Sequence, residues 1–380
     1  MIDSAASFWI KEAFMTIIEA LDEIPDPRAY NTRHDLTDIL FVALAAMLCG
    51  AANCTEMAIF AATRLKLLRQ IVPLKNGAPS HNTFTAVFRA LAPEAFETVL
   101  RRCATAFGEQ ARLSAPRHLA VDGKCLRGAF EKGFAHMPNL TVTVFDCDNL
   151  LSLAQAPGQE GGEAQAAIEA LSLLSLKGCT VTGDALNCHR RFTKTVREGG
   201  GDYVITLKGN QSTLAKQATD ALDLAAVNPK TKIIEIQDKA HGRLETRRVF
   251  VIPFTQAPGK NALIDLRALA RVESQRIVDG KTTLDVRTFV MSRKVTPEIL
   301  LKTVQKHWFI ENQLHWQLDV LMREDAARTR KDHGPTNLAT LRRLALNILR
   351  NDPQKIPLSH KRLKAAWDNQ ALINAMTHMR

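Results

Sequence analysis

Apolar residues change their spacing after Pro116, and no other feature limits the fold as much. Ahead of that point they recur at three- and four-residue intervals, in FWIKEAFMTIIEAL and again from Leu36 to Cys49, the period of helices that bury one face. The stretch between them, IPDPRAYNTRH, carries two Pro and no period, as a connection does. A third helix is predicted near Glu56 to Ile71. Ser80, with Thr83 after it in the loop VPLKNGAPSHNTF, is placed to cap the helix that carries Phe84 and Phe88. Residues 1–112 therefore read as an all-helical N-terminal domain. The longest apolar run, Ile39 to Ala52, falls short of the roughly 20 residues that span a bilayer and reads as a core helix.

Beyond Pro116 the period changes and short β-rich runs appear. RHLAVDG, LTVTVFD and NLLSLAQA are three β-rich runs, followed by the helix-periodic EAQAAIEALSLLSL, the strand CTVTGDAL, the helix HRRFTKTVREG and the strand GDYVITLKGNQ. The order β, β, β, α, β, α, β predicts a mixed sheet with an antiparallel meander first and crossovers after it. A helix to about 226 completes the part that spans 113–226. TKIIEIQ, ETRRVFVIP, LARVESQRIV and LDVRTFVMS then make 227–296 a β-rich insertion. Helix is predicted again from Pro297 to about Arg330 and from Thr336 to Arg350, within a second α/β part over 297–350, and 351–380 reads as a basic tail.

Charge narrows the partner. Fifty Lys and Arg against 39 Asp and Glu give a net +11, and residues 321–380 alone hold 12 basic and 5 acidic residues. Such an excess favours a polyanion, nucleic acid first. The seven Cys are odd in number and include no CxxC pair, which fits buried thiols in a reducing compartment better than a disulfide framework or zinc ribbon. The N-terminus, MIDSAASFWIKEAF, lacks the basic and apolar regions of an export signal. A cytoplasmic protein with no membrane partner is expected.

Three carboxylates are placed for chemistry. Asp122 ends the first strand in AVDGK and Asp184 ends the fourth in CTVTGDA, and residues at strand ends project over the sheet edge where open α/β folds hold their sites. Either Asp taken alone fits a turn or a helix cap equally. In KHWFIENQLHWQLDVLMREDAARTRK, read as a helix, Trp308, Glu311, His315 and Asp319 share one face. Glu311 and His315 are also readable as a polar pair within the helix, and Trp308 and Trp316 as core residues. Three carboxylates meeting at a point stay ionised only with cations between them, and hard oxygen ligands suit magnesium or manganese beside a phosphate. Two such ions would make the site a phosphodiester machine.

AVDGKCLRGA, LKGCTVTGDAL, GGDYVITLKGNQ, HGRLETRR and above all HWFIENQLHWQLDVLMREDAARTRK resemble bacterial insertion-sequence DDE transposases, in the branch that includes the H-repeat-associated proteins of Rhs elements. DPRAYNTRHDL and NGAPSHNTF resemble the domain that precedes the catalytic part in that branch, which implies DNA-end binding or subunit contacts for residues 1–112. The resemblance implies an α/β, RNase H-like mixed sheet with helices, interrupted by the β-rich insertion. It implies Asp122, Asp184 and Glu311, 62 and 127 residues apart, as catalytic ligands of two Mg2+ or Mn2+ ions. The partners it implies are double-stranded DNA, both terminal inverted repeats and target, and a second copy of the chain during synapsis at the nucleoid. Broader relatives set Tyr, Arg and Lys around the catalytic Glu, where this chain has Val304, His307 and Leu318.

His307, His315 and Lys208 are candidates to steady the phosphate in their place. Lys124, Arg127, Arg243, Arg247 and Arg248 are candidates for DNA contact, with a solvated surface charge the competing reading for each. Two other functions use the same residues: a simple metal-dependent nuclease, which would give no strand-transfer products, and a transposase-derived DNA-binding protein, whose expected mark is the loss of an acid.

Overall fold

Three short polar side chains start the N-terminal helices of the computed structural model, which describes residues 17–29, 32–110, 117–129, 139–158, 162–240, 243–278 and 281–377. Asp35 accepts the Thr37 and Asp38 amides ahead of Leu36–Leu48 (α1), Asn53 accepts that of Glu56 ahead of Cys54–Thr63 (α2), and Ser80 accepts that of Thr83 ahead of His81–Ala90 (α3). Each bond satisfies an amide that the first turn leaves without a partner. Pro93–Gln110 (α4) completes the set. Every side chain of α1 is buried, as its unbroken apolar run predicts. Residues 17–22 are helical, and the earlier part of the predicted first helix lies outside the described residues.

The strands are His118–Cys125 (β1), Leu140–Asp146 (β2), Leu151–Pro157 (β3), Thr180–Gly183 (β4), Asp202–Leu207 (β5), Ile233–Ala240 (β6), Arg243–Pro253 (β7), Ala268–Val278 (β8) and Lys281–Met291 (β9). They form one sheet in the order β3-β2-β1-β4-β5-β9-β8-β7-β6. The first three strands pair antiparallel, while β1, β4 and β5 run parallel to one another, with helices Gly162–Ser172 (α5) and Arg190–Glu198 (α6) in the crossovers. The β-rich segment is continuous with this sheet, because β9 pairs antiparallel with β5 and carries β8, β7 and β6 outward as a meander. Ser212–Val227 (α7) packs on one face of the extension, with Arg271 reaching Asp223 at 2.6 Å. Pro297–His307 (α8) covers the other, where Leu300 and Leu301 join Val249, Val272 and Phe289.

Gly334–Asn351 (α9) is buried almost all round and joins the helical front end to β3. One apolar cluster therefore runs from Ile17 to Met376, beside a smaller one under α8. Two sequence expectations fail in this region. The helix predicted through Arg330 ends at Val320, and the chain then turns, with Arg323 at φ 53° and Asp332 at φ 51°. Residues 358–377 are not a basic tail: Leu358–Trp367 (α10) and Asn369–Thr377 (α11) dock on the N-terminal helices. The Cys49 thiol donates to the Ala365 carbonyl at 3.1 Å and Arg362 Nε to that of Met47 at 3.3 Å. Counting charges overlooked Ala365, Leu372, Ile373 and Met376, all of them core residues.

Candidate active site

Register brings the two aspartates together. In the parallel pairing of β1 with β4, Val121 stands opposite Gly183, so the next residue on each strand is Asp122 and Asp184, on chains about 4.8 Å apart. The helical segment after α8 supplies the third carboxylate. It is a π-helix over Ile310–His315 that passes into α-helix over Trp316–Val320, and π turns concentrate at functional sites. Ile310 and Leu314 hold it to the core, while Glu311 joins Asp122 and Asp184 in the wall of one cavity of about 430 Å³. Lys208, His307, Trp308 and Arg287 line the same cavity.

The carboxylates share a strong negative field. Burial, and then the charges of Glu163, Glu311 and Asp184, push the Asp122 carboxyl up to about 7, against only one backbone amide that favours its ionised form. Asp184 keeps a structural duty as well, since it accepts the Leu186 amide at 3.0 Å and the Asn187 side-chain amide at 3.1 Å. Sequence reading missed Glu163, the fourth acid. It sits in the first turn of α5, where helix-dipole compensation is its ordinary explanation. Gly123 gives it room, because a Cβ there would come under 3.0 Å from the Glu163 carboxylate. Burial and the Asp184 charge raise the Glu163 carboxyl too.

The predicted basic residues divide into three groups. Lys208 and His307 reach the acid-lined cavity. His307 Nδ1 lies 2.9 Å from Thr182 Oγ1, which also meets His118 Nε2 at 2.9 Å. Burial, with Arg287 nearby, lowers the His307 ring to about 4, so it is neutral. His315 stands behind the site, its Nδ1 3.6 Å from Asp122 Oδ2. Burial and the charges of Arg343 and Lys124 take it down to about 3, so this contact is that of a neutral ring and not an ion pair. Lys124 is enclosed by Asp319 at 2.7 Å and Asp325 at 3.3 Å. Arg127 is exposed, 3.7 Å from Asp325. Arg247 pairs with Glu245 and Arg248 with Glu273. Arg243 opens β7, and its side chain lies outside the described residues.

Residues 113–348 match the family described as Transposase DDE domain, and residues 18–104 match the one described as DDE_Tnp_1-associated. The chain belongs to the DDE transposase family. The "H repeat-associated putative transposase YhhI" of Escherichia coli K12 is 30% identical over 376 residues, covering 95% of this chain and 97% of that protein. An "Uncharacterized protein in dhlA 3'region" of Xanthobacter autotrophicus is 36% identical over 283 residues, 72% of this chain and 93% of its own length. The "Inactive transposase YbfQ" of Escherichia coli K12 is 33% identical over 72 residues, 19% of this chain and 86% of its own length.

For a DDE transposase the donor chemistry of the cavity fits a divalent ion. Three carboxylates from three elements line one cavity, and burial ahead of the charges of Glu163, Glu311 and Asp184 raises the Asp122 carboxyl. Among the described residues no group of three or more His, Cys, Asp or Glu side chains stands close enough to hold a metal ion by itself. Among those residues no helix is long and apolar enough to cross a membrane.

Proposed function

We propose that this chain is a DNA transposase that cleaves a strand at each end of an insertion sequence and joins the exposed 3'-hydroxyl to target DNA. One observation carries the reading: carboxylates 62 and 127 residues apart in the chain reach a single cavity from two neighbouring strands and a π-helical turn. Asp122, Asp184 and Glu311 would hold two Mg2+ or Mn2+ ions there, on a core whose order β3-β2-β1-β4-β5 is consistent with the RNase H-like fold that the resemblance implies. Bound ions supply an activated water or 3'-hydroxyl and stabilise the leaving oxygen.

The chain's own residues do the rest. Lys208 offers a point charge to the scissile phosphate. His307, with Nδ1 on Thr182, has Nε2 left for a phosphate oxygen. The net charge of +11 draws double-stranded DNA, terminal repeats and target alike, and joining two ends calls for a homodimer during synapsis. This places its work at the nucleoid, in the cytoplasm.

The test uses the full chain with a labelled duplex carrying the inverted repeats that flank its gene. Asp122→Asn, Asp184→Asn and Glu311→Gln are each expected to lower cleavage by about three orders of magnitude, the worth of several kcal/mol of metal stabilisation, with duplex binding retained. Full cleavage by any one removes that residue from the site. Cleavage without joined products favours a plain nuclease over a transposase.

A further inference from the structure

The segment that follows Glu311 is tied to the rest of the molecule at nearly every residue from 321 to 327. Arg362 donates to the Leu321 carbonyl, and Arg342 Nε to that of Met322 at 3.3 Å. Three consecutive charged residues then pair with three different elements. Arg323 reaches Glu56 of α2 at 2.6 Å. Glu324 meets Arg343 of α9 at 3.1 Å with both side chains wholly buried. Arg343 Nε in turn donates to Thr143 at 3.0 Å, and Thr143 is the register partner of Asp122. Asp325 meets Lys124 of β1, two residues past Asp122, and Lys124 also holds Asp319 at the foot of the Glu311-bearing segment. Opposite this run, a Cβ at Gly128 would come under 3.0 Å from the Asp325 and Ala327 carbonyl oxygens, so the backbones meet where only glycine fits. Arg323 itself is held in the left-handed region at φ 53°, a conformation that persists in a non-glycine residue when its surroundings over-determine it.

We propose that Lys124, acting with Arg323, Glu324 and Asp325, is a positioning clamp that sets Glu311 at working distance from Asp122, and that Lys124 does not contact DNA. Its side chain is 8% exposed and lies between two carboxylates, so no face of the ammonium is left for a phosphate. The ties run from β1 and β2 on one side, and from the N-terminal helices through Glu56 on the other. They fix the chain that leaves Glu311 on its C-terminal side, while α8 leads into it from the other. The proposal rests on the reading of Asp122, Asp184 and Glu311 as ligands of divalent ions, and the residues that orient such ligands commonly govern metal affinity about tenfold or more.

The experiment compares the wild-type full chain with Lys124→Met, Asp325→Asn and Glu311→Gln. Mn2+ binding is followed by electron paramagnetic resonance, and duplex DNA affinity is measured across a salt series. Lys124→Met and Asp325→Asn are expected to weaken Mn2+ binding about tenfold, approaching Glu311→Gln, with DNA affinity and its salt slope unchanged. Asp325→Asn keeps the shape of a partly exposed side chain, so it carries the test if Lys124→Met fails to fold. Unchanged Mn2+ affinity in both variants overturns the clamp. So does a salt slope shallower by about 0.9, the loss of one phosphate contact. If Glu311→Gln leaves Mn2+ binding intact, the reading of the acids themselves fails, and that outcome differs from failure of the clamp alone.

Discussion

Asp122 is held in a state that costs the fold free energy as soon as it ionises. In the unfolded chain its carboxyl titrates near 3.8, in the folded chain near about 7, raised by burial and by Glu163, Glu311 and Asp184. Between those values the native state binds the extra proton, so this group's contribution to stability is full below about 4, falls as pH rises toward 7 and is level above. His118, His307 and His315 act in the opposite sense: their folded values lie well below 6.5, so they withdraw stability as pH falls below 6.5. The contribution of Asp122 is isolated by difference. Asp122→Asn is expected to gain stability over the wild type progressively from pH 4 to 7, on the order of 3 kcal/mol at the top of the range. In the wild-type background Glu163→Gln is expected to move that window to lower pH. Denaturant unfolding across pH measures both, and a difference that stays flat from pH 4 to 7 would show that Asp122 titrates normally.

The elements differ in how plainly the chain announces them. Strands β1 to β5 were legible because short β-rich runs are separated by Gly, Pro, Asn or Asp, whereas the parallel register that aligns Asp122 with Asp184 is seen only in the pairing of β1 with β4. The π turn was not. Spacings of three and four among Trp308, Glu311, His315 and Asp319 fit an α-helix equally, and the shift to π geometry depends on how Ile310 and Leu314 seat in the core. Lys124 is hard to read for a related reason. In AVDGK it resembles a DNA contact, and the carboxylates that enclose it lie 195 and 201 residues further along. Glu324 and Arg343 form the buried tie of the same segment, and removing one partner of such a pair leaves an uncompensated charge in the core. Glu324→Ala is expected to cost about 3–5 kcal/mol of stability, and Glu324→Leu with Arg343→Met considerably less. Chemical denaturation of the two variants checks this, and equal losses would mean that packing, not charge, sets the cost.

At the scale of the whole molecule the change of period after Pro116 divided the sequence correctly into helical and mixed parts, yet it is not a boundary between independent cores. The apolar core is continuous from Ile17 to Met376. α9 supplies polar partners to the front end as well as apolar ones: Asn337 donates to the Phe88 and Leu91 carbonyls at 2.8 Å each, where α3 ends, and Arg342 Nη2 to that of Ala52 at 2.9 Å. α10 and α11 cover further surface of α1. Such closure by distant chain is invisible to local periodicity, because the residues that complete the N-terminal layer come more than 200 positions later. Residues 1–112 expressed alone would expose the buried faces of α1 and α4 and leave those carbonyls to water. The fragment is therefore expected to show no cooperative thermal transition by far-ultraviolet circular dichroism, whereas in the full chain the helical front end unfolds together with α9. Hydrogen exchange reads the same coupling: amides of α1 and α9 in the full chain are expected to share one opening free energy. A fragment that melts cooperatively near the temperature of the full chain would make the front end a domain in its own right, and α9 only its neighbour.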